Sequence, residues 1–235
     1  PLFHTGRFAT EQGTRHPADK IIIDVSDIAD INHPDLQQAF HWGILAYGEL
    51  DKLAAFSSYL SGGLSAYAQW LRHTGTGKPR DPLAVAPSLV ETVALTLRVS
   101  MDAARYYLQL LALPEPSDAN VSRWNGWKKP VIGRAGEELA EAGVVVKAQR
   151  PRAGRKFFLP GGWAEATPPH LPIENWKLEP FGLVKIAANA TYEPMFCTAL
   201  APLPPAEWFT ACWERSQGDD APRFEDLTTT KRSRR

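Results

Sequence analysis

Arginines and lysines in one short stretch are the residues of this 235-residue chain whose types and spacing best suit chemistry. Between Lys128 and Lys156 stand eight basic residues: Lys128, Lys129, Arg134, Lys147, Arg150, Arg152, Arg155 and Lys156. Three acidic residues share the stretch, Glu137, Glu138 and Glu141, so it carries a formal charge of +5. The chain as a whole has 26 basic and 26 acidic residues, so everything outside the stretch carries −5. A guanidinium binds two phosphate oxygens at once, and each phosphate neutralised releases counterions. A local basic patch on a neutral chain fits contact with a polyanion through one face. It does not fit a protein that coats nucleic acid with its whole surface, which needs a large overall positive charge.

Other constellations carry less. His33 and His41 stand eight apart with no third ligand in the pattern, and read as capping or core histidines. Asp24, Asp27 and Asp30 follow an apolar run, a place where acidic metal ligands can sit, but they read as a polar loop. Gly75-Thr76-Gly77-Lys78 lacks the full phosphate-loop pattern, and Pro79 follows where a helix should begin. Cys197 and Cys212 are too few for a disulfide framework and are not spaced as a redox pair, so they read as two reduced thiols. No nucleophile elbow, metal signature or dinucleotide fingerprint is present. The expectation is a protein with no catalytic residue, no metal and no cofactor. No apolar run reaches the ~20 residues of a spanning helix. The start, Pro1-Leu2-Phe3-His4-Thr5-Gly6, has no signal-peptide pattern. A cytoplasmic location without membrane contact is therefore expected. The missing initial Met implies either processing before Pro1 or a piece of a longer chain.

The elements that must hold the basic stretch follow from periodicity and caps. Residues 1 to 19 read as irregular, and Lys20 to Val25 as a buried strand. Asp35 to Leu60 reads as a kinked helix or two short ones, ended by Gly62-Gly63, with Leu64 to Arg72 as a further short helix. His73 to Pro87 reads as a linker and the domain boundary. Ser88-Leu89-Val90-Glu91 has capping-box form and opens a helix to about Arg98. Ser100 opens a second helix, Met101 to Leu113, with Ala104, Leu108 and Leu111 as its inward stripe and Pro114 and Pro116 as its stop. A polar loop or short turn of helix spans Ser117 to Trp127. A third helix runs from about Lys129 to Ala142, with Pro130 in its first turn, Gly143 at its end and Val131, Ile132, Ala135, Leu139 and Ala142 inward. Val144 to Gln149 and Lys156 to Leu159 then flank Arg150-Pro151-Arg152-Ala153-Gly154-Arg155, a hairpin with a Gly in its turn and an almost wholly basic tip. Leu183 to Ala188 reads as a strand or short helix, Pro204 to Glu214 as a final helix, and Gln217 to Arg235 as a disordered tail ending in Lys231-Arg232-Ser233-Arg234-Arg235.

The order helix, helix, helix, basic hairpin over residues 88–162 resembles the winged helix-turn-helix superfamily, about a third of the chain. That resemblance implies a recognition helix in the major groove of a duplex and a hairpin tip on the backbone or minor groove. Lys128, Lys129 and Arg134 would then stand at the start of the recognition helix, and Arg150, Arg152, Arg155 and Lys156 would form the wing. Two features depart from the pattern. The gap Pro114 to Lys128 is longer than a tight helix-turn-helix turn. Glu137, Glu138 and Glu141 lie on the outward face of the third helix and repel phosphates.

The fold class expected is mainly α with small β. A helical N-terminal region (1–80) holds one short strand. A winged-helix-like domain (88–162), a Pro/Trp-rich extension (163–216) and a basic-ended tail (217–235) follow. The function expected is nucleic-acid binding, with DNA and RNA not separated. The competing reading is a scaffolding subunit of a larger assembly, meeting protein partners through Trp163 to Phe181 and Pro202 to Trp213. A third reading makes the hairpin a solvated ribbon whose charges block edge-to-edge pairing. Trp124, Trp127, Trp163 and Trp176 are of a type that stacks on bases, but their Pro and Gly neighbours favour packing.

Overall fold

A computed structural model describes residues 3–6, 20–23, 63–74, 77–165, 171–178, 180–181, 184–186, 191–193, 201 and 203–223. The chain divides into two compact units, Pro1–Gly62 and Gly63–Arg235. In the first, β1 (Phe3–Gly6) pairs antiparallel with β2 (Lys20–Ile23), Phe3 opposite Ile23 and Gly6 opposite Lys20. The strand expected at Lys20 is therefore present. Its partner comes from a stretch expected to be irregular, because a pairing strand is chosen by contact and leaves little local signal. The expected helix at Asp35–Leu60, His33, His41 and the three aspartates lie outside the described residues, as do Cys197 and the tail from residue 224.

The second unit is mainly helical. It contains α1 (Gly63–Thr74), α2 (Pro82–Val85), α3 (Pro87–Leu97), α4 (Met101–Ala112), α5 (Asp118–Asn125), α6 (Lys129–Glu141) and α7 (Pro205–Gln217). Three small antiparallel pairs complete its described residues: β3 (Val146–Lys147) with β4 (Phe157–Phe158), β5 (Trp163–Ala164) with β6 (Ile173–Glu174), and β7 (Val184–Ile186) with β8 (Thr191–Glu193). The boundary falls at Gly62, earlier than the expected linker at His73–Pro87. Most of that linker is structured. Asp81 caps α2, its carboxylate accepting from the Leu83 N–H at 3.1 Å, and then pairs with the core.

At the centre lies α4, packed by α3, α6 and α7. Every residue from Ala103 to Leu113 is buried, not only the expected stripe of Ala104, Leu108 and Leu111. A helix wrapped on all sides must satisfy its polar side chains internally. Arg105 does so through two 2.6 Å bonds to the Asp81 carboxylate, Nε to Oδ1 and Nη2 to Oδ2. Gln109 and Asn125 exchange amide hydrogen bonds, both 2.9 Å, and the Gln109 amide also donates to the Arg80 carbonyl at 2.7 Å. Ser100 caps the start of the helix, accepting from the Ala103 N–H. At the other end Lys177 Nζ donates to the Leu113 carbonyl and Trp208 Nε1 to the Ala112 carbonyl, each at 2.7 Å. These two donors reach carbonyls that a helix end leaves without an intrahelical partner.

That packing corrects the expected domain layout. The Pro/Trp-rich segment after residue 163 is not an appendage, because α7 lies on α4 and Trp208, Phe209, Cys212 and Trp213 belong to the same core. The expected capping box at Ser88 also fails. The helix begins at Pro87 on Ala86, with no side-chain cap, because α2 runs almost directly into α3.

The hairpin seats on α6 with one close approach at Gly136. A Cβ at Gly136 would lie 2.2 Å from the Phe157 ring, so only glycine admits that ring. Phe157 in turn meets Tyr106 of α4 edge to face, centroids 6.4 Å apart. Overpacking of a close-packed core costs about 1–3 kcal/mol. Gly136→Ala is therefore expected to lower the unfolding free energy by that amount, read as a lower urea midpoint at unchanged slope, and a parental midpoint would mean that Phe157 shifts without penalty.

Candidate nucleic-acid interface

Polar sequence at Ser117–Asn125 forms a helix because its ends are specified. The Ser117 hydroxyl accepts from the Asn120 N–H at 3.3 Å, and Gly126, at φ +70°, supplies the left-handed stop. Only Gly126, Trp127 and Lys128 then separate α5 from α6. The long gap anticipated between the second and third helices is thus occupied by a helix of its own, and the turn leading into α6 is tight. The signal was a cap residue and a Gly nine positions apart at the ends of a short polar run, too short for periodicity to register.

A buried ion pair holds that turn. Trp127 is half-buried, and the Arg105 guanidinium stands 4.9 Å from its ring centroid while bound to Asp81. The Trp127 N–H donates to the Ser122 carbonyl at 3.0 Å, and the Ser122 hydroxyl donates to the Trp127 carbonyl. From this anchored turn α6 buries Ile132, Ala135, Gly136 and Leu139, and leaves Lys129, Pro130, Arg134, Glu137 and Glu141 exposed.

Of the seven cations expected to meet phosphates, Lys128, Lys129 and Arg134 are exposed at the start of α6. Lys156 is exposed beside β4, and Arg152 is exposed in the loop at φ 57°. Burial raises the Asp118 carboxyl above the usual carboxylate range, and the charges of Lys129, Lys156 and Arg155 offset that only in part. Asp118 had no place in the sequence reading, since nothing local shows that cations of α6 and of the residue before β4 act on the start of α5.

Two of the expected arginines turn inward. Arg155 is buried, paired with the Glu174 carboxylate, donating to the Phe157 carbonyl at 3.2 Å and standing 4.7 Å from the Phe158 centroid. It is therefore removed from the surface patch. Arg150 is half-buried, donates to the Gly161 carbonyl at 2.9 Å and lies 4.9 Å from the Phe158 centroid and 5.4 Å from that of Trp163. Nor does the whole tip project. Ala153 is buried, and the Gly154 carbonyl accepts from the Asp118 N–H at 2.9 Å, drawing the loop back onto α5. Lys147 is exposed but pairs with Glu137. The acidic half of α6 is likewise engaged: Glu138 accepts from both the Ser100 N–H and its hydroxyl at 2.6 Å.

The four tryptophans considered for base stacking all carry an arginine of this chain. Arg80 lies 5.5 Å from Trp124, Arg105 on Trp127, Arg150 and Arg155 on Trp163, and Arg215 4.4 Å from Trp176. Phe181, Trp208 and Trp213 are buried, so these aromatics of the expected partner surface are spent inside the unit. Cys212 is buried, which pushes its thiol up to about 12, and it serves as a packing group. Among the described residues no group of three His, Cys, Asp or Glu is placed to hold a metal, and no helix is long and apolar enough to cross a membrane.

Behind the patch sits a wholly buried trio, Arg155, Glu174 and Lys177. Burial alone drives the Glu174 carboxyl up, but the Arg155 and Lys177 charges overcome it and hold it at about 2. Burial lowers the Lys177 amine to about 8 against the opposing pull of Glu174. Because Glu174 ionises at about 2 in the fold and at 4.5 when free, the unfolded chain binds more protons between those values. The stability supplied by its charge is complete above 4.5 and is lost as pH falls toward 2. Thermal unfolding in a descending pH series should show this decline. Glu174→Gln should flatten it and cost about 3–5 kcal/mol at neutral pH, since two buried cations lose their anion. A variant as stable as the parent would contradict the assignment.

The chain matches no known protein family, no characterised protein and no solved structure.

Proposed function

We propose that residues 88–162 form a nucleic-acid-binding unit of winged-helix type, in which the first half of α6 is the contact helix. One observation carries the reading. Lys128, Lys129 and Arg134 are exposed together where α6 begins, and the charges of Lys129 and Lys156 both act on one carboxylate, Asp118. Cations at a helix start oppose the helix dipole, and acids at its end oppose it too, each at about 0.3–1 kcal/mol. Here Lys128 and Lys129 stand at the start and Glu141 at the end, the reverse of what an isolated helix prefers. Lys128 also provides no side-chain cap, Pro130 has no N–H, and the Val131 N–H donates to the Lys128 carbonyl at 2.9 Å, so the side-chain cations supply most of the positive field. A phosphate placed there relieves the repulsion between those cations and the helix dipole.

The contact differs from that of a projecting wing. With Arg155 inside and Arg150 against aromatic rings, α6 leads and the loop contributes Arg152 and Lys156 at its flank. A duplex is favoured over an unpaired strand, because the rings that would stack on bases already carry arginines.

Fluorescence anisotropy with duplex DNA, single-stranded DNA and structured RNA over a salt series tests the reading. Binding is expected to fall steeply with salt, and Lys128→Glu with Lys129→Glu should reduce the slope by about one unit per lysine. Arg155→Glu, by contrast, should report through unfolding. Absence of salt-dependent binding to all three probes would end the proposal.

A further inference from the structure

Gly133 sits on α6 between the exposed Pro130 and Arg134, and no contact among the described residues asks for a glycine there. A Cβ built on it meets no atom of the described residues within 4 Å. Its backbone is that of an ordinary helical residue, not the left-handed form in which Gly126 and Gly143 serve as helix stops. Gly136, three residues on, shows what a required glycine looks like, with the Phe157 ring 2.2 Å from where its Cβ would be. Glycine inside a helix loosens it relative to alanine, through backbone entropy. The fold alone would therefore be better served by alanine at residue 133.

We infer that Gly133 is the point at which the α6 backbone lies flush against the nucleic acid, with Lys129 and Arg134 clasping phosphates to either side. The inference rests on the reading of α6 as the contact helix. A missing side chain there lets the duplex approach closely enough for those two cations to engage together. A methyl group would hold it away, and a branched side chain more so.

Gly133→Ala and Gly133→Leu, measured with a fluorescein-labelled DNA duplex and by thermal unfolding, decide the matter. Gly133→Ala should melt higher than the parent, yet bind about tenfold more weakly, the loss expected when one good contact is spoiled. Gly133→Leu should bind more weakly still while remaining folded. Parental affinity in Gly133→Leu would overturn the assignment while leaving the contact helix in place. A melting temperature of Gly133→Ala below the parent's would also overturn it, by showing that the fold itself requires the glycine. If the parent fails to bind the duplex at any salt concentration, the contact-helix reading falls instead.

Discussion

Burial of α4 on every side is the constraint from which the rest of the second unit follows. Its sequence places Arg105 and Gln109 in the interior, where an unpaired guanidinium or amide is costly. Asp81 and Asn125 answer them, and in doing so fix two other parts of the chain. Asp81 belongs to the cap of α2, so the segment before α3 is stitched into the core. Asn125 is the last residue of α5, so the helix leading to the exposed cations is pinned at its end. Arg105 then stacks on Trp127 inside the turn. Three residues of the core thereby set where α6 starts and how it leaves the surface. A site built in this way is held by rigid elements and not by loops, which is what precise placement of charge demands.

Arginine chooses its partner by solvation. A guanidinium is weakly hydrated and stacks well on aromatic rings, so it enters a protein interior more readily than an ammonium when an anion is waiting. Arg155 has such an anion in Glu174 and a ring in Phe158, and it goes inside. Arg150 has the Phe158 and Trp163 rings and a carbonyl, and goes halfway. Lys128, Lys129 and Lys156 stay outside. The exception is Lys177, whose buried amine is accepted only because it meets Glu174 and closes the end of α4. The basic stretch is thus two populations, one structural and one exposed, with opposite relations to water.

Charge along α6 carries the same division. Its acidic end is occupied by the fold, Glu138 at the start of α4 and Glu137 on Lys147, whereas its basic start faces outward. The glutamates expected to repel a polyanion are partly neutralised by bonds within the chain. The negative charge free at that end is therefore smaller than the number of glutamates suggests, and the exposed positive charge is concentrated in the first two turns.

Local physics made much of this protein legible from its residues alone. The body of α3, the ranges of α4 and α6, the Ser100 cap, the hairpin after α6 and the final helix all follow from apolar spacing, cap residues and turn residues, which act over a few positions. The cations at the start of α6 were legible for the same reason: three basic side chains within the first turns of a helix whose inward face is apolar must lie at its surface. Tertiary contact decided the remainder. It turned the presumed extension into part of the core, because Trp208 and Trp213 find α4 far away in the chain. It took Arg155 from the hairpin tip, because Glu174 lies nineteen positions on and the dry interior makes their attraction strong. A sequence reveals how many charges a turn contains. Only the packed chain reveals which of them have already been claimed.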